Sequence, residues 1–130
     1  MRLLLDTHIW IWVRSDTSRI RPQVAHAIQE ADHLWLSPVT IWETINLVDS
    51  GKLILPEDPV ACVRRWIAEM PIRDAPLNQE VAIVSRRIPI ETNDPADRFL
   101  AATAKVHDLV LVTSDRHLID CNDVPTLANR

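Results

Sequence analysis

Glycine is almost missing from this chain: Gly51 is the only one in 130 residues. Loops that cradle phosphates, and the turns that hold dinucleotides, need several glycines for tight bends and close backbone approach. Nucleotide-binding classes of that kind are excluded. Cysteine is scarce as well. Cys62 and Cys121 match no metal or redox spacing and make a poor disulfide framework, so both read as reduced thiols of a cytosolic protein. No apolar run approaches the length needed to span a bilayer, and no basic-then-apolar leader precedes Leu3-Leu4-Leu5. A cytoplasmic protein without membrane attachment is expected. Lysine is rare too: of 14 basic residues only Lys52 and Lys105 are lysines. The arginines that replace it grip phosphate with a rigid fork and stack on bases, although a GC-rich genome would enrich arginine for no such reason. The net charge of −4 does not advertise a nucleic-acid binder; clustering, not the sum, marks such a footprint.

What remains is the composition of a globular domain, 47% hydrophobic and 25% charged. A chain of 130 residues supports one core, so a single domain over residues 1–130 is expected. Arg2 to Leu5 reads as a buried strand that ends at Asp6. Thr7 to Val13 is a short apolar segment, and Pro22 to Ala31 carries a helical stripe of Val24, Ala27, Ile28 and Ala31. Leu34-Trp35-Leu36 is a second strand. Ser37-Pro38 then starts a helix that runs to about Ser50, where Gly51 ends it. Pro59 opens another helix, with Val60, Val63, Trp66 and Ile67 at helical spacing. A short third strand is expected over residues 72–77 and a helix over 79–87. Asn93-Asp94-Pro95 starts a helix to His107, and 109–113 is the clearest strand. A turn or helix from Arg116 and a weak strand over 125–127 close the chain. Strands alternating with helices predict an α/β fold: a central parallel sheet of about four or five strands, covered by helices on both faces.

Four acids stand at the ends of these segments. Asp6 closes the first strand and Asp115 follows the last clear one. Glu43 lies in the helix after Ser37-Pro38, between Val39 and Leu47 on a largely apolar stripe. Asp97 shares a stripe with Leu100, Ala101 and Ala104 in the helix after Asp94-Pro95. Each has a local explanation. Asp6, Asp94 and Asp115 suit helix caps, and Asp97 suits the positive end of a helix. Jointly they are harder to explain away, because acids that follow parallel strands converge on one edge of the sheet. Two carboxylates ~5 Å apart repel by roughly 3 kcal/mol at an effective dielectric of about 20. A cluster of four needs protons or a cation, and oxygen-only ligands select Mg²⁺ or Mn²⁺ over zinc.

Leu3-Leu4-Leu5-Asp6-Thr7-His8, Ser37-Pro38-Val39-Thr40-Ile41-Trp42-Glu43, the run from Asp94 to Ala104, and Leu111-Val112-Thr113-Ser114-Asp115 resemble, in order, the four motifs of PIN-domain ribonucleases. The resemblance is to the VapC-like toxins of type II toxin–antitoxin pairs, and it spans nearly the whole chain. It implies that Asp6, Glu43, Asp97 and Asp115 are the catalytic and metal-binding acids, holding one or two Mg²⁺ or Mn²⁺ ions. Thr7 and Thr113 would hydrogen-bond to those carboxylates or to bound water. The activity implied is endonucleolytic hydrolysis of RNA, tRNA or mRNA, by activated water. Arg98 and Arg116 flank two of the acids and could hold substrate phosphate or simply balance charge; His8, beside Asp6, could touch substrate or pack on an apolar face. The resemblance further implies a small antitoxin partner and a homodimer; Trp10 and Trp12, if both exposed, would line the antitoxin's groove. Many relatives carry a histidine where this chain has Thr92 and an aromatic where it has Ala96, a departure that bears on substrate preference. Two rival readings are a non-catalytic PIN-like binding module and a phosphoacceptor receiver domain. The receiver would need paired acids after the first strand and a late lysine, whereas Asp6 is followed by Thr7-His8.

Overall fold

The computed structural model describes all residues, 1–130. Five strands, β1 (Arg2–Leu5), β2 (His33–Leu36), β3 (Arg73–Asp74), β4 (Val110–Thr113) and β5 (Thr126–Ala128), form one sheet in the order β3-β2-β1-β4-β5. Every neighbouring pair is parallel, as helical crossovers require. Seven helices connect them: α1 (Thr7–Ser15), α2 (Pro22–Glu30), α3 (Pro38–Asp49), α4 (Pro59–Glu69), α5 (Gln79–Ser85), α6 (Pro95–His107) and α7 (Arg116–Ile119). No helix is long and apolar enough to cross a membrane.

The sheet is buried on both faces, and β1 shows why its sequence is a continuous apolar run. Leu3 and Leu5 join the layer built by Ile9, Trp10, Val24, Val63 and Trp66. Leu4 points the opposite way, into the layer of Ala101, Ala104, Leu111 and Leu118. With helices on two faces, a polar residue inside β1 would face apolar neighbours on either side. The first acid therefore has to wait for the strand's end, at position 6.

Local signals set the boundaries. Ser37 caps α3 by accepting a hydrogen bond from the Val39 amide. Gly51, at φ +76°, terminates it: its amide donates to Val48 O while Lys52 N donates to Leu47 O, the paired bonds of a Schellman turn. Nothing lies within 4 Å of a Cβ built there, so Gly51→Ala meets only backbone strain. It should cost about 1 kcal/mol, read as a melting temperature lower by a few degrees, with Gly51→Asn milder.

Two expectations need correction. The strand foreseen over 72–77 is only Arg73–Asp74, because Pro71 and Pro76 bracket it and proline cannot donate to a ladder. In α4, Val60 and Ile67 are 43% and 41% exposed, and the buried stripe is Cys62, Val63 and Trp66. A short 3-10 turn over Thr17–Arg19 was not foreseen; the sequence there carries no periodic apolar signal.

Candidate active site

The chain runs from β1 through β2 to β3 on one side, then returns to place β4 on the other side of β1. The crevice at the carboxyl ends of β1 and β4 is the switch point of the sheet, where ligands of open α/β folds bind. A cleft of about 570 Å³ opens there. Its walls include Asp6, Glu43, Asp94, Asp97 and Asp115, faced by His8, Arg116, His117 and Arg130. Trp12 is its one hydrophobic wall residue. All four sequence-predicted acids thus line one opening.

Three of the acids are placed by capping. Asp6 caps α1 by accepting from the Thr7 amide at 2.7 Å. Asp94 caps α6 through the Ala96 amide, and Asp115 caps α7 through the His117 amide. Capping and site formation are the same event here, because the helix starts carry the carboxylates to one place. Asp6 is fixed further by the Thr113 hydroxyl, which donates to its Oδ2 at 2.6 Å. That hydroxyl also accepts from the Asp115 amide at 3.0 Å, so Thr113 ties the two acids that follow β1 and β4. Thr7 bonds the Asp6 carboxylate through its amide, while its hydroxyl meets Thr40 Oγ1 at 3.4 Å, which docks α3, the carrier of Glu43, against α1.

Glu43 and Asp97 cap nothing and join no ion pair. Asp97 sits half-buried above the fully buried Leu100, Ala101 and Ala104. Its carboxyl is pushed up to about 8, first by burial and then by the charges of Asp94, Asp115, Asp6 and Glu43. Burial also raises Asp6, with the hydrogen bonds from Thr113 and Thr7 working against it. No three acidic, imidazole or thiol side chains stand close enough to share one ion as arranged. The cleft is a repelling ring of acids that surrounds an opening without closing on it.

That repulsion has a measurable consequence. The native Asp97 carboxyl titrates near 8 and the unfolded one near 4, so between those values only the native state holds the proton. Metal-free stability therefore falls as pH rises through that window. Asp97→Asn removes the effect. With the shift discounted for partial exposure, it should stabilise metal-free protein at about pH 8.5 by roughly 2 kcal/mol. This gain should vanish near pH 4, and paired melting curves check both ends.

Two sequence-predicted residues are not where they were expected. Arg98 does not line the cleft: its guanidinium donates to the carbonyls of Ser85, Ile88, Ile90 and Thr92 at 2.8 to 3.2 Å, and so is committed within the fold. Trp10 cannot line a partner groove, being completely buried edge-on against Trp66 at 5.4 Å. Trp12 is half-buried and borders the cleft instead. Three further wall residues, Ser114, His117 and Arg130, had gone unnoticed. Arg130 is brought in by Asn129, whose buried side chain bonds Ser114 Oγ, Arg19 O and the Arg21 amide; Arg130 Nε then reaches Ser114 O at 2.9 Å. Such a long-range tether leaves no local sequence signal.

A parallel sheet of this order with acids gathered at its switch point defines an open α/β protein with an acidic ligand cleft. Residues 3–123 match the family model of the PIN domain, and the chain belongs to that family. It is 32% identical over 117 residues to Ribonuclease VapC22 of Mycobacterium tuberculosis, covering 89% of this chain and 88% of that protein. It therefore falls among the VapC-like members. In fold it is similar to DNA-bound VapBC from Salmonella typhimurium, with a TM-score of 0.73 at 20% identity, covering 100% of this chain and 99% of that one. FitAcB from Neisseria gonorrhoeae gives 0.65 at 24% identity, covering 98% and 97%.

Proposed function

We propose that this chain is a Mg²⁺- or Mn²⁺-dependent endoribonuclease, the toxin of a type II toxin–antitoxin pair. The observation that carries the reading is the cleft itself: Asp6, Glu43, Asp97 and Asp115 converge at the sheet's switch point, and Asp97 is left with an elevated proton affinity. All-oxygen, anionic donors suit a hard divalent ion, and these four residues would hold it. When bound, the ion supplies an activated water and offsets charge on the transition-state oxygens. Thr113 keeps the Asp6 carboxylate aimed into the opening. Arg116 and Arg130, which form no ion pair, draw phosphate to the acidic cleft. In-line attack by water leaves a 5′-phosphate and a 3′-hydroxyl and makes no use of the RNA 2′-hydroxyl as nucleophile.

The receiver-domain alternative has no support, since Lys105 pairs with Asp123 at 2.9 Å and no lysine borders the cleft. A cognate antitoxin and a second copy of the chain complete the proposal. A toxin–antitoxin complex from Klebsiella pneumoniae shares the fold, which supports the antitoxin. Trp42, 63% exposed, offers apolar area for a partner segment, and takes over the place first expected of Trp10 and Trp12. The test is incubation of purified chain with single-stranded RNA, tRNA and mRNA in Mg²⁺, Mn²⁺ or chelator, with end-group analysis. Cleavage to 5′-phosphates that stops with chelator supports the reading. Intact RNA under every condition would favour the non-catalytic module.

A further inference from the structure

Trp12 is out of character with its surroundings. It is the sole hydrophobic residue on a cleft wall made of acids, histidines, arginines and a serine. Part of its side chain packs against the core beside the buried Ile9, Trp10 and Ile11, and the rest stays open on the cleft wall. Its ring is already engaged by planar and cationic groups. The Arg19 guanidinium lies 4.8 Å from the ring centroid, and the His8 ring lies beside it at 5.8 Å, tilted by 51°. Arg19 belongs to no ion pair, and its backbone is fixed by the Asn129 amide at 3.0 Å. The same Asn129 nitrogen also donates to Ser114 Oγ, beside Asp115. One buried amide thus links the backbone of Arg19 to the segment that carries Asp115.

We infer that Trp12, with Arg19 and His8, is a nucleobase-stacking subsite that holds an unpaired RNA base next to the scissile phosphate. The inference rests on the ribonuclease reading above and names how that site grips its substrate. A flat base has two hydrophobic faces that an acidic cleft would otherwise leave without a partner. Stacking on tryptophan is sequence-tolerant, and arginine planes extend such a stack. The base must be unpaired to reach a ring recessed in the cleft, so single-stranded segments and loops are the substrates that fit. Arg116 and Arg130 line the same cleft and are suited to the neighbouring phosphates.

The experiment compares the full chain with Trp12→Phe and Trp12→Ala on a short single-stranded RNA, and on the same RNA with an abasic nucleotide placed in turn on either side of the cleaved bond. Trp12→Ala should raise KM about tenfold, the size of one stacked base, with kcat changed less than about twofold; Trp12→Phe should keep most of the affinity. One abasic position should cost the parent protein a similar factor and cost Trp12→Ala nothing more. A Trp12→Ala KM equal to the parent's, or losses that multiply with every abasic position, would overturn the inference. Should Trp12→Ala fail to fold, Trp12→Phe and the abasic series still decide. A second readout does not depend on turnover: RNA binding should quench a tryptophan emission that Trp12→Phe lacks. If RNA is bound but never cleaved, that quenching sustains the subsite while the ribonuclease reading fails. If RNA is bound or cleaved with no Trp12 quenching, or is neither bound nor cleaved, the subsite is wrong.

Discussion

Asp6→Asn is expected to lower RNA cleavage by about 10³-fold or more, the scale seen when a preorganised charge-stabilising group is deleted, while the protein stays folded. The two halves of that result have separate causes. The asparagine side-chain oxygen can still accept from the Thr7 amide that caps α1, and asparagine is as good a cap as aspartate. The Thr113 hydroxyl, now 2.6 Å from Oδ2, can turn to accept from the new amide. Burial works against the charge of Asp6, so its neutral replacement is well tolerated in metal-free protein. What is lost is an anionic oxygen in the cleft. Activity assays alongside melting curves separate the two, and a folded variant retaining more than a tenth of the activity would remove Asp6 from the chemistry.

Arg98→Ala is expected to have the largest effect on stability, about 3 kcal/mol, and a melting temperature lower by roughly 10 °C or more. Hydrogen bonds from a charged donor exceed neutral ones in strength, and this guanidinium serves four carbonyls between Ser85 and Thr92. Those carbonyls belong to the segment that joins α5 to α6 and leads into the Asp94 cap. Removing the guanidinium leaves them to water and loosens the start of α6, the turn that carries Asp97. Arg98→Lys should recover little, since an ammonium cannot reach four acceptors with a planar fork. A variant that melts like the parent would show that the bonds contribute nothing net.

Much of this architecture was legible in the residues. Ser37-Pro38 and Gly51 bracket α3 because caps and left-handed stops are local chemistry. The alternation of strand and helix fixed the parallel sheet, and the sheet fixed where Asp6 and Asp115 had to meet. Each local explanation of an acid also held, since Asp6, Asp94 and Asp115 are caps and line the cleft together. Arg98 misled because adjacency to Asp97 says nothing of direction: consecutive helical residues point about 100° apart, and Arg98 turns toward the α5–α6 connection. Trp10 and Trp12 misled for the same reason. Two positions apart on a helix they cannot share a face, so one fills the core and the other the cleft wall. Arg130 and His117 were unreadable, as their place depends on the Asn129 tether and on α7, a helix of four residues.

The most direct test of the central claim is calorimetric titration of metal-free protein with Mn²⁺ at about pH 7, repeated in buffers of different ionisation enthalpy. Asp97 holds a proton with a pKa of about 8, so an ion seated among these carboxylates must displace it. Saturable binding with release approaching one proton, fading above about pH 9 and abolished in Asp6→Asn, is the predicted result. Binding that releases no proton, or that proceeds unchanged without the Asp6 carboxylate, would contradict it.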